Sequence, residues 1–282
     1  MCDDEIDPGF ADQKVSRRSF GVLTAAAATA VATSANAQNV VEKDVIIKTP
    51  DGNADAALYY PAGRGTWPGV LMWPDIMTLR PEFRAMGKRL AAEGYVVLVP
   101  NYYYRDRKAP IGLNFSNAND RPQFTALRAK LTDAAYDMDA KAYIAFIDAQ
   151  PQTNKRKKIG VQGYCMGGPA SFRTAGVAPD RIGAVASFHG GGLTTNAANS
   201  PHLLVAKTKA DYLIAVAQND DTQQPTSKDI LRQTFTTNKL PHKVEVYPAQ
   251  HGWMVQGSAV YDAAQAERGW ANMLSQYQRA LA

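Results

Sequence analysis

One cysteine, one histidine and a pair of adjacent aspartates stand where they could act together on a carbonyl group. The cysteine lies in Lys158-Ile159-Gly160-Val161-Gln162-Gly163-Tyr164-Cys165-Met166-Gly167-Gly168. An apolar run leads into Gly163-Tyr164-Cys165-Met166-Gly167, and small apolar residues continue to about Ala175. Strand, G-x-nucleophile-x-G, helix is a nucleophile elbow, here with cysteine where serine is usual. Its turn is strained, so the flanking positions must lack a Cβ to let strand and helix approach. The first N–H groups of the helix then face the reacting atom and favour a thiolate and an oxyanion. A lone cysteine would read as a buried structural residue. Five residues in register between a strand and a helix argue against that.

A thiol nucleophile needs a base, and the base needs an orienting acid. Parallel sheets collect functional groups at the carboxyl ends of their strands, where Asp75, Cys165, His189, Asp220, Asp221 and His251 are expected. Of four histidines, His202 and His242 precede Leu-Leu-Val and Lys-Val-Glu-Val. Both read as strand beginnings, at the wrong edge. His189 has the right edge but adjoins the Cys165 strand, which suggests a structural hydrogen-bonding role. His251 follows the final strand with Gly252 beside it, and is the base. Either aspartate of Gln218-Asn219-Asp220-Asp221 could bond the far imidazole nitrogen. Counting from the strand end favours Asp220; counting back from Pro225 favours Asp221. Asp220 is the assignment and Asp221 the alternative, which gives nucleophile, acid and base in chain order.

The elements that must position these residues alternate. Val40 to Lys48 and Ala54 to Tyr60, joined at Pro50-Asp51-Gly52-Asn53, read as an antiparallel hairpin. Gly69 to Trp73 is a continuous apolar strand of the buried type. Pro81 opens a helix to about Ala92, Gly94 ends it, and Tyr95 to Val99 is the next strand. Asn101 to Arg128 is long and irregular, as lids and binding loops are. A helix follows from Leu131 to Ala149, then the Cys165 strand. Further strands are Arg181 to Phe188, Asp211 to Ala217 and His242 to Tyr247. Helices run from about Thr226 to Thr237 and from Tyr261 to Leu281. The expected architecture is α/β, a mostly parallel central sheet with helices on both faces, in one domain over 38–282.

Residues 1–37 read as a leader. Ser16-Arg17-Arg18-Ser19-Phe20 is a twin-arginine pattern, Val22 to Ala35 is apolar, and Ala35-Asn36-Ala37 is a small-x-small cleavage site. Periplasmic or secreted localisation through the twin-arginine (Tat) export machinery is the expectation. Cleavage before Gln38 would remove Cys2 and leave Cys165 alone in an oxidising compartment. The chain of 282 residues is 45% hydrophobic, enough for a large core. Its net charge of +5 is thinly spread, with Arg156-Lys157-Lys158 the tight basic run. That run reads as a solvated loop, so no nucleic-acid partner is expected. No stable membrane insertion is expected either, since Val22 to Ala35 is too short to span. Nothing in the residues calls for a metal or cofactor.

Gly163-Tyr164-Cys165-Met166-Gly167-Gly168, Tyr247-Pro248-Ala249-Gln250-His251-Gly252 and the Asp220 strand end together resemble the dienelactone hydrolase family, over roughly Gly69 to the C-terminus. The resemblance implies an α/β-hydrolase fold, a Cys165-His251-Asp220 triad, and hydrolysis of a small-molecule ester or lactone through a thioester. It implies an oxyanion hole from the Met166 and Ile76 N–H groups, and a thiol-activating acid at Asp75, where the family's best-known members carry glutamate. The family's carboxylate-binding arginine, four residues past the histidine, is Val255 here. Arg105 and Arg84 are the candidates to replace it. Trp73, Tyr103, Tyr164 and Trp253 are candidate pocket aromatics for a mainly apolar substrate, though core packing accounts for them equally. A non-catalytic small-molecule-binding protein and a periplasmic thiol-redox protein are the competing readings; the latter lacks a resolving cysteine.

Overall fold

Eight strands form one sheet in the computed structural model, which describes residues 39–282. The leader expected over 1–37 lies outside the described residues. β1 (Val40–Thr49) and β2 (Gly52–Pro61) make the antiparallel hairpin, paired from Val40↔Pro61 to Thr49↔Gly52. Every residue of β3 (Gly69–Trp73), β4 (Val96–Pro100) and β5 (Ile159–Tyr164) is buried. β6 (Ile182–Phe188), β7 (Asp211–Ala217) and β8 (His242–Tyr247) continue the sheet. The order is β1-β2-β4-β3-β5-β6-β7-β8. β2 pairs antiparallel with β4, and from β4 to β8 every pairing is parallel.

Continuous apolar strands need cover on both faces, and side chains of alternating parity divide between two cores. Val70 and Met72 join Phe83 and Leu90 of α1 (Pro81–Ala92) and Trp270, Met273 and Tyr277 of α7 (Ala263–Ala280). Leu71 and Trp73 join Tyr143 and Ile144 of α3 (Asp133–Ala149) and Phe172 of α4 (Gly167–Val177). Leu231 and Phe235 of α6 (Ser227–Thr237) lie on this second side too. Thr132 caps α3 by accepting the Ala135 N–H, and Asp262 caps α7 by accepting that of Gln265. This is the α/β-hydrolase fold.

Three short elements depart from the expected layout. The stretch Asn101 to Arg128 is not wholly irregular, because α2 (Arg121–Ala129) forms where Phe124 and Leu127 bury a narrow apolar stripe. The stretch after β7 turns straight into α5 (Gln218–Gln223), six residues with none buried. His202 does not begin a strand; Pro201–Lys207 is a 3-10 helix, and His202 Nδ1 lies 2.8 Å from Ser200 Oγ. Among the described residues no helix is long and apolar enough to cross a membrane.

Candidate active site

Cys165 sits between β5 and α4 with φ +54°, in the left-handed region that disfavours residues with a Cβ. The glycines around it explain how the turn closes. A Cβ on Gly163 would lie 1.8 Å from the Gly167 carbonyl oxygen, and one on Gly167 would lie 2.5 Å from that of Trp73. A Cβ on Gly168 would meet Ser187 Oγ at 2.6 Å and Gly190 Cα at 2.8 Å. The turn is pinned as the Cys165 N–H donates to Phe188 O at 3.1 Å and the Gly168 N–H to Cys165 O at 3.0 Å. The sulfur is thereby presented half-buried at the carboxyl edge of the sheet.

The loop after β8 is zipped to α5 by three consecutive contacts. The Gln218 N–H donates to Ala249 O at 2.9 Å, and the His251 N–H donates to Asn219 Oδ1 at 2.8 Å. His251 Nδ1 then lies 2.7 Å from Asp220 Oδ2. Asp221 points elsewhere, onto Lys228 Nζ at 2.7 Å. Asn219 was not among the sequence candidates; its signal is only its place beside the aspartates, since a backbone-holding amide has no motif. Burial alone would push the His251 imidazolium down. The hydrogen bond to Asp220 and the proximity of Cys165 outweigh it and raise His251 to about 10. Cys165 and His251 line the same cleft, and the bond of Nδ1 to Asp220 leaves Nε2 free of a side-chain partner.

The Met166 and Ile76 N–H groups donate to no other group among the described residues. Tyr103 connects their two loops: its hydroxyl donates to Ile76 O at 2.9 Å and lies 3.7 Å from Met166 Sδ. Asp75 is also at this edge, but its carboxylate is occupied. Oδ1 accepts from the Met77 N–H at 2.9 Å and from Arg80 at 2.5 Å, and Oδ2 accepts from Arg80 at 2.8 Å. A bidentate pair of this kind, with both side chains only 13–14% exposed, holds the 74–78 turn. Arg80→Gln should leave that carboxylate uncompensated and cost about 3 kcal/mol of stability. If the turn carries an oxyanion donor, kcat on any ester should fall about tenfold with it; chemical denaturation and steady-state rates check both.

These groups open onto a cleft of about 1480 Å³ that includes Asp75, Ile76, Cys165, Met166, His189 and His251. Phe115 and Leu113, from the segment between β4 and α2, form part of its wall. The four expected pocket aromatics do not line it. Trp73, Tyr103, Tyr164 and Trp253 are at most 1% exposed and belong to the two cores. Trp73 instead donates to Thr174 Oγ1 at 2.9 Å and stacks on Tyr102, fixing α4 against β3. His189 makes no side-chain hydrogen bond, contrary to expectation; both ring nitrogens are buried without a partner. No cluster of three or more His, Cys, Asp or Glu suited to a metal occurs among the described residues.

The dienelactone hydrolase family model matches residues 54–281. The chain belongs to the dienelactone hydrolase family. It is a hydrolase of that family, and its relatives span nearly its whole folded length. A Synechocystis sp. protein provisionally named a carboxymethylenebutenolidase is 27% identical over 248 residues, covering 85% of this chain and 98% of the relative. An Escherichia coli protein of the same provisional name is 24% identical, covering 76% and 78%. A crystal structure from Klebsiella pneumoniae, provisionally named a dienelactone hydrolase, superposes with a TM-score of 0.74 at 22% identity, covering 86% and 99%. One departure from the dienelactone hydrolase pattern lies in the cleft. Val255 lines the cleft where the resemblance puts an arginine. Neither suggested replacement is there: Arg84 binds Glu42 and Asp44, and Arg105 binds Asp51 and Asp139.

Proposed function

We propose that this dienelactone hydrolase family member cleaves a carboxylic ester or lactone of a small molecule through Cys165, His251 and Asp220, by way of a thioester. The observation that carries this reading is the edge of one cleft where Cys165 stands on its left-handed turn and His251 is held on Asp220 through Nδ1 at 2.7 Å. The Cys165 thiolate attacks the carbonyl carbon, and the carbonyl electron pair moves onto oxygen. The Met166 and Ile76 N–H groups hold that oxyanion. As the carbon–oxygen bond breaks, His251 gives its Nε2 proton to the leaving alkoxide. Sulfur is now neutral in the thioester, so the charge and hydrogen bond that kept the proton on His251 are gone. The imidazole therefore becomes a base when a base is needed. It takes a proton from water, the hydroxide adds to the thioester, and the thiolate leaves with His251 protonated again.

The cleft supports a mainly apolar substrate, with Leu113, Phe115, Val255 and Val260 on its walls. Arg128 also faces it, without an ion-pair partner among the described residues, and suits an anionic substituent. The test is a panel of p-nitrophenyl esters and small lactones, combined with iodoacetamide treatment and peptide mapping. Hydrolysis should be lost in step with carbamidomethylation of Cys165. Full modification of Cys165 with hydrolysis intact would end the assignment.

A further inference from the structure

His189 follows β6 directly, one residue beyond the Phe188 carbonyl that holds Cys165. Its backbone has φ +41°, unusual for a residue with a Cβ, and its N–H donates to Ala215 O at 2.8 Å. The side chain is 1% exposed and lines the cleft. Neither Nδ1 nor Nε2 has a hydrogen-bond partner. Native chains seldom leave a buried polar group unpaired, and an apolar ring would fill this position with less penalty. The ring centroid lies 5.0 Å from that of His251, at an interplanar angle of 60°. The rings of Tyr164 and Trp253, which carry no charge, lie 6.2 and 6.1 Å from it, centroid to centroid.

We propose that His189 is a positioning residue for His251, its buried ring packed edge to face so that the His251 ring stays on Asp220 and turned towards Cys165. The inference rests on the hydrolase reading above, in which His251 alternates between acid and base. An imidazole bound to a carboxylate or carbonyl would have its tautomer dictated by that partner. His189 has none, so its proton can take the nitrogen that leaves the lone pair towards the charged neighbour. It must stay neutral to do this. Burial and then the adjacent His251 charge hold its pKa well below the ordinary histidine value, against a smaller opposing contribution from its own backbone. The groups that set the charge on His251 are then Asp220 from α5 and Cys165 from the elbow, with the His189 ring packed beside it. Edge-to-face contact also blocks rotation of the His251 ring out of line, and small misplacements at a reacting centre are expensive in rate.

The deciding experiment uses His189→Phe and His189→Asn in the full chain. Phenylalanine keeps a ring without nitrogens, and asparagine accepts the left-handed backbone without a ring. Each should lower kcat on one ester about tenfold or more, with KM within about twofold. Each should also displace the midpoint of the pH profile for Cys165 alkylation by iodoacetamide. A phenylalanine variant with wild-type kcat and an unmoved alkylation profile would show a packing role only, and overturns the inference. Should both variants fail to fold, histidine-selective NMR of the wild type decides, since four imidazoles are readily resolved. His189 should stay neutral through the range in which a free histidine titrates, and its ring signals should move when Cys165 is alkylated. Titration of His189 near the ordinary histidine value, or no response to alkylation, refutes it. His251→Gln separates the two readings: hydrolysis surviving that change sinks the hydrolase mechanism itself, whatever His189 does.

Discussion

Cys165→Ala should remove hydrolysis almost completely, with kcat falling by a factor on the order of 10⁴ to 10⁶. Groups that act as one unit lose nearly all their effect when the nucleophile goes, and what persists comes from binding and the oxyanion donors. The accompanying change on His251 makes the prediction specific to this geometry. Burial lowers its pKa, and Asp220 and Cys165 together raise it to about 10. Deleting the sulfur removes one of those two partners while burial persists, so the imidazole should titrate at lower pH in the variant. The sign for stability follows from linkage. A folded pKa above the unfolded value of about 6.5 stabilises the fold fully below that value and is lost as pH rises through about 10. In Cys165→Ala the loss should be complete at lower pH. Cys165→Ser should behave likewise for His251, since a neutral hydroxyl offers no charge, and should retain at most a trace of turnover. Rates on p-nitrophenyl acetate and histidine NMR titrations of both variants give the answer. A His251 titration unchanged from wild type would mean that sulfur and imidazole do not interact.

The sheet was readable where chain chemistry is punctuated. Gly69–Trp73 and Pro81–Ala92 match their expected bounds because a continuous apolar run, a proline at a first helical turn and a glycine after the last turn are local signals. α5 escaped because six residues with no buried side chain have no apolar period to detect. That same element separates Asp220 from Asp221. Neighbours in a helical turn point about 100° apart, so one reaches His251 and the other Lys228. No property of two adjacent aspartates carries that information. The aromatics went astray for a related reason. Trp73 and Tyr164 end strands at the functional edge, yet strand parity turns both into the cores beneath the helices. Whether Tyr103 faces a cleft or ties two loops together depends on where Ile76 O lies, which only the fold supplies. The role of His189 was hidden too, because an imidazole without partners looks no different in sequence from one that has them.

Gly163→Ala is the largest stability effect expected from adding a single methyl group. The new Cβ would sit 1.8 Å from Gly167 O, 2.2 Å from Gly167 C and 2.8 Å from Gly168 N. All three are backbone atoms, so no side chain can swing aside to make room. Relief requires the first turn of α4 to move away from β5. That movement is opposed by Gly167 and Gly168, which are themselves packed against Trp73 O, Pro74 O and Gly190 Cα. A loss of about 4 kcal/mol or more is expected, in the range reserved for a few severe mechanisms. Any folded fraction should also be slow, because opening the elbow shifts the Cys165 sulfur and the Met166 N–H together. Gly191→Ala is the matched control. It lies nearby on the same cleft, a Cβ there meets nothing within 4 Å, and stability should change by less than about 0.5 kcal/mol. Denaturant midpoints for the two variants, measured alongside wild type, test the contrast. Equal midpoints would mean that strand and helix do not close on Gly163, and the sulfur would then lose the turn that presents it.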